Sequence, residues 1–175
     1  TEFTVMCEPE DLDIIHAHKG LYHSETVIDR TIDKTHASKA QKVENRQVIQ
    51  PDRHAIQDGI SVLTELRTFQ EEMMESEPGE LGPITFSITM AKGGQSTNTL
   101  PQHFTIATDS RVPANYRSEE LAQRLERRIR QSVDTIDEDE FTTYAVHEAV
   151  NIERENELVQ QFKQAAEAAG ANPTL

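Results

Sequence analysis

The chain has 175 residues, 35% of them hydrophobic and 5% aromatic, with no Trp, so it suits one domain with a lean, largely aliphatic core. Its 31 acidic residues against 17 basic ones give a formal charge of −14, which argues against a nucleic-acid backbone or an anionic membrane as partner. Short apolar runs, an N-terminus without a basic-then-apolar leader, and a single cysteine, Cys7, predict no membrane helix, no secretory signal and no intrachain disulfide, hence a cytoplasmic location.

In chain order, Phe3 to Val5 and Leu12 to Ala17 read as short extended segments around the acidic turn Glu8-Pro9-Glu10-Asp11, and Leu21 to Ile28 as a strand ending in β-branched residues. Thr31 to Gln50 is polar and aperiodic, which predicts a long loop or a hairpin excursion. Pro51-Asp52 then signals a helix to Met74, with Ile56, Ile60, Leu63, Leu66, Phe69 and Met73 at three- and four-residue steps. Ile84, Phe86, Ile88 and Met90 alternate with hydroxyl residues as in a half-buried strand broken by Gly93-Gly94, and Phe104, Ile106 and Thr108 form another. Ser118 reads as the N-cap of a second helix whose inner face is Leu121, Leu125, Ile129 and Val133. A strand from Phe141 to Val146 and a last helix from Asn156 to Ala169, closed by Gly170, complete the chain.

From Leu21 to His147 the order is strand, helix, strand, strand, helix, strand. That is the βαββαβ pattern of an α+β, ferredoxin-like sandwich: a four-stranded antiparallel sheet with two helices on one face and the other face left to water or a second subunit. Residues 1–20 and 148–175 fall outside this unit and read as the ends of something larger. The acidic, lysine-poor composition, with 11 Arg to 6 Lys, fits a salt-adapted surface and an ordinary acidic domain equally well.

Seven histidines are scattered along the chain. His16 and His18, two apart on a strand, would share a side and could pinch a metal, although neutral structural histidines are commoner. Cys7 lacks a His–Asp context and reads as a small buried residue. The polar turn motifs say more together than alone: Cys7-Glu8-Pro9-Glu10-Asp11, His16-Ala17-His18-Lys19-Gly20, Thr35-His36-Ala37-Ser38, His54-Ala55-Ile56, Gly93-Gly94 with Asn98-Thr99-Leu100-Pro101, and Asp109-Ser110-Arg111 occur in that order.

This order resembles the dizinc amidohydrolase family that holds acetylornithine deacetylase, succinyl-diaminopimelate desuccinylase and glutamate carboxypeptidase, over residues 3 to 175. The resemblance implies that residues 1–20 end a catalytic segment, that 21–147 form a lid and homodimerisation domain, and that 148–175 begin the return to an α/β catalytic domain. It implies that Glu8 is a carboxylate ligand of one of two zinc ions. His36 would reach the partner subunit's site and donate to the oxyanion. Asn98 and Arg111 would hold the substrate, an N-acyl amino acid or peptide, Arg111 through a bidentate fork onto its carboxylate. Without the resemblance, Arg111 reads as a surface ion-pair residue, Asn98 as a turn residue and His36 as a solvated loop histidine.

The chain departs from the family pattern in places. Asp29-Arg30 stands where a glycine is usual, Lys39-Ala40 where a proline is, and His54 where an Asn is. The family's H-x-D motif is absent, and the pairs Glu71-Glu72 and Glu119-Glu120 lie within predicted helices. Glu8 alone holds no dizinc site, so the chain reads as the middle of an enzyme and is expected to be inactive in isolation. The rival reading is a free-standing ferredoxin-like module that binds a small metabolite on its open sheet face.

Overall fold

The computed structural model of the chain describes residues 13–32, 36–37, 41–44, 47–51, 53–133 and 140–175. A two-residue strand, β1 (Ala17–His18), leads into β2 (Gly20–Asp29), whose residues alternate between buried and half-buried along its length. Tyr22, Ser24, Thr26 and Ile28 face inward, and Leu21, His23, Glu25 and Val27 face the open side. The polar excursion contains a hairpin of β3 (Gln41–Glu44) and β4 (Gln47–Pro51). Helix α1 (Ala55–Met74) follows, then β5 (Thr85–Gly93), β6 (His103–Val112), α2 (Ser118–Ser132), β7 (Phe141–His147), β8 (Val150–Asn151) and α3 (Glu157–Ala168).

Strands β2, β5, β6 and β7 form an antiparallel sheet in the order β5-β6-β2-β7, and β1 pairs with β8 in a small ribbon beside it. Helix α1 packs mainly over β5 and β6, and α2 over β7 and β2. Leu66, Phe69 and Met73 of α1 meet Leu121, Leu125 and Ile129 of α2 in one apolar cluster above Tyr22, Phe86, Ile106 and Val112. The fold is the α+β sandwich predicted above. Its lean core is completed by hydroxyl groups that bond to one another: Ser24 Oγ and Thr108 Oγ1 lie 2.7 Å apart, and Tyr22 Oη and Thr143 Oγ1 3.3 Å apart. Pairing them removes the penalty of burying polar atoms alone.

Four local expectations change. Pro51 belongs to β4, where it pairs with Gln41, so α1 begins only at Ala55, with His54 as N-cap in extended backbone. The Gln57 side chain accepts from the His54 N–H at 3.3 Å, and the Ala55 N–H donates to the Pro101 carbonyl at 3.1 Å. Ile60, expected on the inner stripe, is 57% exposed. The packed face is instead the one that carries Gly59, where a Cβ would sit 2.4 Å from the Phe104 ring; Gly93 meets the same ring equally closely from the other side. A rigid aromatic wedged between two glycines fixes the rotation of α1, and Ile60 turns outward with it.

Met90 is 40% exposed because the β5–β6 register shifts between Ile88 and Met90. A one-residue slip sends every later side chain to the opposite face. In α2 the N-cap is Arg117 rather than Ser118. Ser118 is the first helical residue, buried, and both its N–H and its hydroxyl donate to Glu148 Oε2, at 3.3 and 3.4 Å. The last helix keeps its predicted ends: Asn156 Oδ1 accepts from the Leu158 N–H, and Gly170 takes φ +88°.

Candidate functional site

The candidate residues fall at two ends of the β2–β6 pair. At one end, His36 forms an isolated bridge with Thr99, and the Ala37 N–H donates to the Asn98 carbonyl at 2.9 Å. The segment between β5 and β6 thereby carries Asn98 to the strand-like step at His36. Asn98 Oδ1 accepts from Ser96 Oγ at 2.6 Å and from Thr99 Oγ1 at 3.4 Å, so its own turn fixes the amide. Both His36 and Asn98 are exposed. His54 lies nearby at the start of α1; desolvation by burial holds its imidazole below the usual range and outweighs the opposing pull of Asp58.

Beneath that end lies a charged knot that sequence reasoning did not single out. Asp58 is fully buried in the first turn of α1 and accepts from Arg30 Nε, at 2.5 Å, and from Arg53 Nε. Arg30 Nη1 also donates to the Asp29 carbonyl, at 2.6 Å, and to Glu140 Oε1, at 3.3 Å, while Glu140 accepts the Asp29 N–H at 2.8 Å. The departure from the family pattern at Asp29-Arg30 thus has a structural role. It ties the end of β2 to the start of α1 and of β7. The signal available in the sequence was an acid in the first turn of a helix, which reads equally well as a solvated cap.

At the other end, Arg111 pairs with Leu21 of β2 and Thr85 of β5, next to the β1–β8 ribbon. It lies eight residues past His103, about 27 Å along β6 at roughly 3.4 Å per residue. No single small ligand spans that distance. Arg111 stands on the open sheet face, half exposed, with Nε 3.6 Å from Asp109 Oδ2. Asp109 Oδ1 in turn accepts from His23 Nε2 at 2.5 Å. The pair was legible in hindsight, since Asp109 and Arg111 are two apart on a strand and His23 lies on the polar side of β2.

The histidine pair does not converge. His16 is buried and its Nδ1 donates to the Ile152 carbonyl at 2.5 Å, while His18 Nδ1 donates to the neighbouring Lys19 carbonyl at 3.1 Å. A cleft of about 290 Å³ beside His18, lined by Glu80, Pro113, Asn115 and Asn151, lies where the ribbon meets the sandwich. Gly20, the end of the His18-Lys19-Gly20 step, has no room for a side chain: a Cβ there would lie 2.5 Å from the His147 carbonyl oxygen. Among the described residues no group of three or more His, Cys, Asp or Glu side chains is placed to hold a metal ion. Glu8 and Cys7 lie outside the described residues. The residues at hand do not fit a dizinc site on their own.

Residues 17–136 match the peptidase dimerisation domain of the M20 family. The chain belongs to that family. Solved structures with the same fold include an M20 metallo-carboxypeptidase from Sulfolobus solfataricus, at 14% identity and a TM-score of 0.65, over 92% of this chain and 45% of that one. A dinuclear metal-binding M20 peptidase from Bacillus subtilis aligns at 12% identity and TM-score 0.55, over 93% and 36% of the two chains. An aminopeptidase from Bacillus cereus aligns at 16% identity and TM-score 0.54, over 91% and 37%. The chain therefore spans less than half the length of these enzymes. No curated protein sequence matches it. As an M20 dimerisation domain, the chain is homologous to part of the family's metal-dependent hydrolases, and the domain type implies self-association.

Proposed function

We propose that the chain is the lid and dimerisation segment, over 21–147, of a cytoplasmic zinc-dependent amidohydrolase of the acetylornithine deacetylase and glutamate carboxypeptidase kind, acting on N-acyl amino acids or peptides. One observation carries the reading: Arg111 lies about 27 Å along β6 from His103, and the His36–Asn98 step sits in the connection that enters β6 at the His103 end. A two-fold dimer reconciles this spacing, because each lid offers its His36–Asn98 end to the partner's site and its Arg111 end to its own. Arg111 would fork onto a substrate carboxylate, His36 would donate to the oxyanion, and Asn98 would fix the acyl or peptide oxygen. The metal and its general base would come from outside the described residues.

The edge of the dimer follows from exposure. Among the described residues strand β5 is an edge of the sheet over nine residues, and α1 lies beside it with Ile60 outward above a shallow groove shared with Leu63, Thr64 and Arg67. A long open edge next to an exposed apolar helix face suits a symmetric contact with a second copy. In light scattering at high salt, where the −14 charge is screened, the chain should run at twice 19.8 kDa. Ile60→Glu should give a monomer with its fold intact. A monomeric wild type at high protein concentration would remove the lid reading.

Within the intact enzyme the swap itself is testable by mixing subunits. His36→Ala and Arg111→Ala homodimers should each lose at least about tenfold in kcat/KM, the scale of a lost charge-assisted or oxyanion contact. Their heterodimer should regain one working site, because one of its two sites then draws both residues from unmutated copies. Two inactive homodimers and an equally inactive heterodimer would place both residues in the same subunit's site.

A further inference from the structure

We propose that Asp109, held by His23, is the positioning residue for Arg111, presenting one edge of its guanidinium to an incoming carboxylate. The inference rests on the reading of Arg111 as a carboxylate receptor and adds what orients it. The β2–β6 register sets His23 directly opposite Asp109, and the two-residue strand period puts Asp109 and Arg111 on the same open face. Each Asp109 oxygen has its own neighbour: Oδ1 accepts from His23 Nε2–H at 2.5 Å, and Oδ2 lies 3.6 Å from Arg111 Nε. The Tyr144 ring packs beside the imidazole, tilted 51° with centroids 5.5 Å apart.

The geometry leaves Arg111 held but not consumed. Its Nε side faces Asp109 at a distance too long for a hydrogen bond, and its terminal amines Nη1 and Nη2 have no partner among the described residues. A guanidinium offers two edges that fit a carboxylate with paired bonds. Asp109 occupies the neighbourhood of the Nε edge, so a ligand carboxylate meets the Nη1/Nη2 edge. The side chain is 51% exposed, and without this neighbour its four flexible torsions would present either edge. His23 matters because its Nε2–H bond to Oδ1 fixes the carboxylate plane, so that the aspartate orients the arginine without sequestering it.

Positioning and simple charge predict opposite signs. Asp109→Asn removes a negative charge beside Arg111, and by Coulomb attraction alone that strengthens binding of any anion. If Asp109 positions the guanidinium, the same change weakens binding. The experiment titrates N-acetylglycine into the ¹⁵N-labelled 175-residue chain while the arginine Nε–Hε signals are followed by NMR, with N-acetylglycinamide as the uncharged control. The Arg111 signal should move with N-acetylglycine and stay still with the amide. Asp109→Asn should weaken the response about threefold to tenfold, within the range of coupled neighbours. His23→Ala should weaken it similarly, and His23→Gln, whose amide N–H stands in for Nε2–H, should restore it, a rescue that a merely structural role does not produce. Binding that is unchanged or tighter in Asp109→Asn, with Arg111 still responding, overturns the positioning role alone. No Arg111 response in the wild-type chain overturns the carboxylate reading beneath it.

Discussion

Asp58→Ala should lower the unfolding free energy of the chain by about 3–5 kcal/mol, the range seen when one partner of a buried ion pair is removed. The carboxylate is fully buried and answers two arginines, and Arg30 is itself only 13% exposed. Taking Asp58 away leaves the Arg30 guanidinium in low dielectric with the long Glu140 contact at 3.3 Å as its ion pair among the described residues, and its desolvation is then poorly offset. Arg53 is 53% exposed, so Arg53→Ala should cost no more than about 1 kcal/mol, as solvated ion pairs do. Urea unfolding at one fixed protein concentration, which keeps any dimer contribution constant, measures both. Equal costs for the two variants would mean that water reaches the knot and that its burial is not what holds β2 to α1.

Phe69→Ala should cost a similar amount, about 3–5 kcal/mol, through cavity formation. Phe69 is wholly buried where α1, α2 and the sheet meet, with its ring edge-on to Phe86 at 5.1 Å between centroids and the Arg124 guanidinium 5.7 Å above it. The site has little freedom to collapse. Arg128 clamps α1 to α2 through Glu65, at 2.5 Å, and Glu72, so the helices cannot close over the void without breaking that contact. Phe69→Leu, which returns most of the volume, should recover more than half of the loss. Full recovery of stability in Phe69→Ala on repacking would show that the clamp yields.

Local periodicity carried most of the fold. The stripe Leu121, Leu125, Ile129 and Val133 is buried as expected, and the alternation read at Ile84–Met90 and Phe104–Thr108 gave β5 and β6. These succeed because a helix or strand buries a repeating set of residues whatever it packs against. Ile60 fails by the same logic. Its spacing fits the stripe, but Phe104, 44 residues away in sequence, sits in the notch at Gly59 and rotates the helix away from it. Met90 fails because a register shift is a property of two strands, and only one of them is being read at a time. His16 and His18 follow the commoner reading of structural histidines, because the Ile152 carbonyl beside the β1–β8 ribbon takes the His16 ring for itself.

For the candidate site, the sequence by itself pointed to a part of a metal-dependent hydrolase. The order of short motifs around His36, Asn98 and Arg111 pointed to an amidohydrolase lid, and the match of residues 17–136 to the M20 peptidase dimerisation domain bears out that coarser reading. Tertiary structure decided how those residues are grouped. Antiparallel pairing of β2 with β6 carries Asn98 to His36 and sends Arg111 to the far end of the same strand. The same register aligns His23 with Asp109, and Asp58 of α1 is buried between Arg30, just past β2, and Arg53, just before α1. Each of these depends on contacts across tens of residues, which no local pattern encodes; hydrogen-bond register fixes which side chains meet, and register is set by the whole sheet closing over its core.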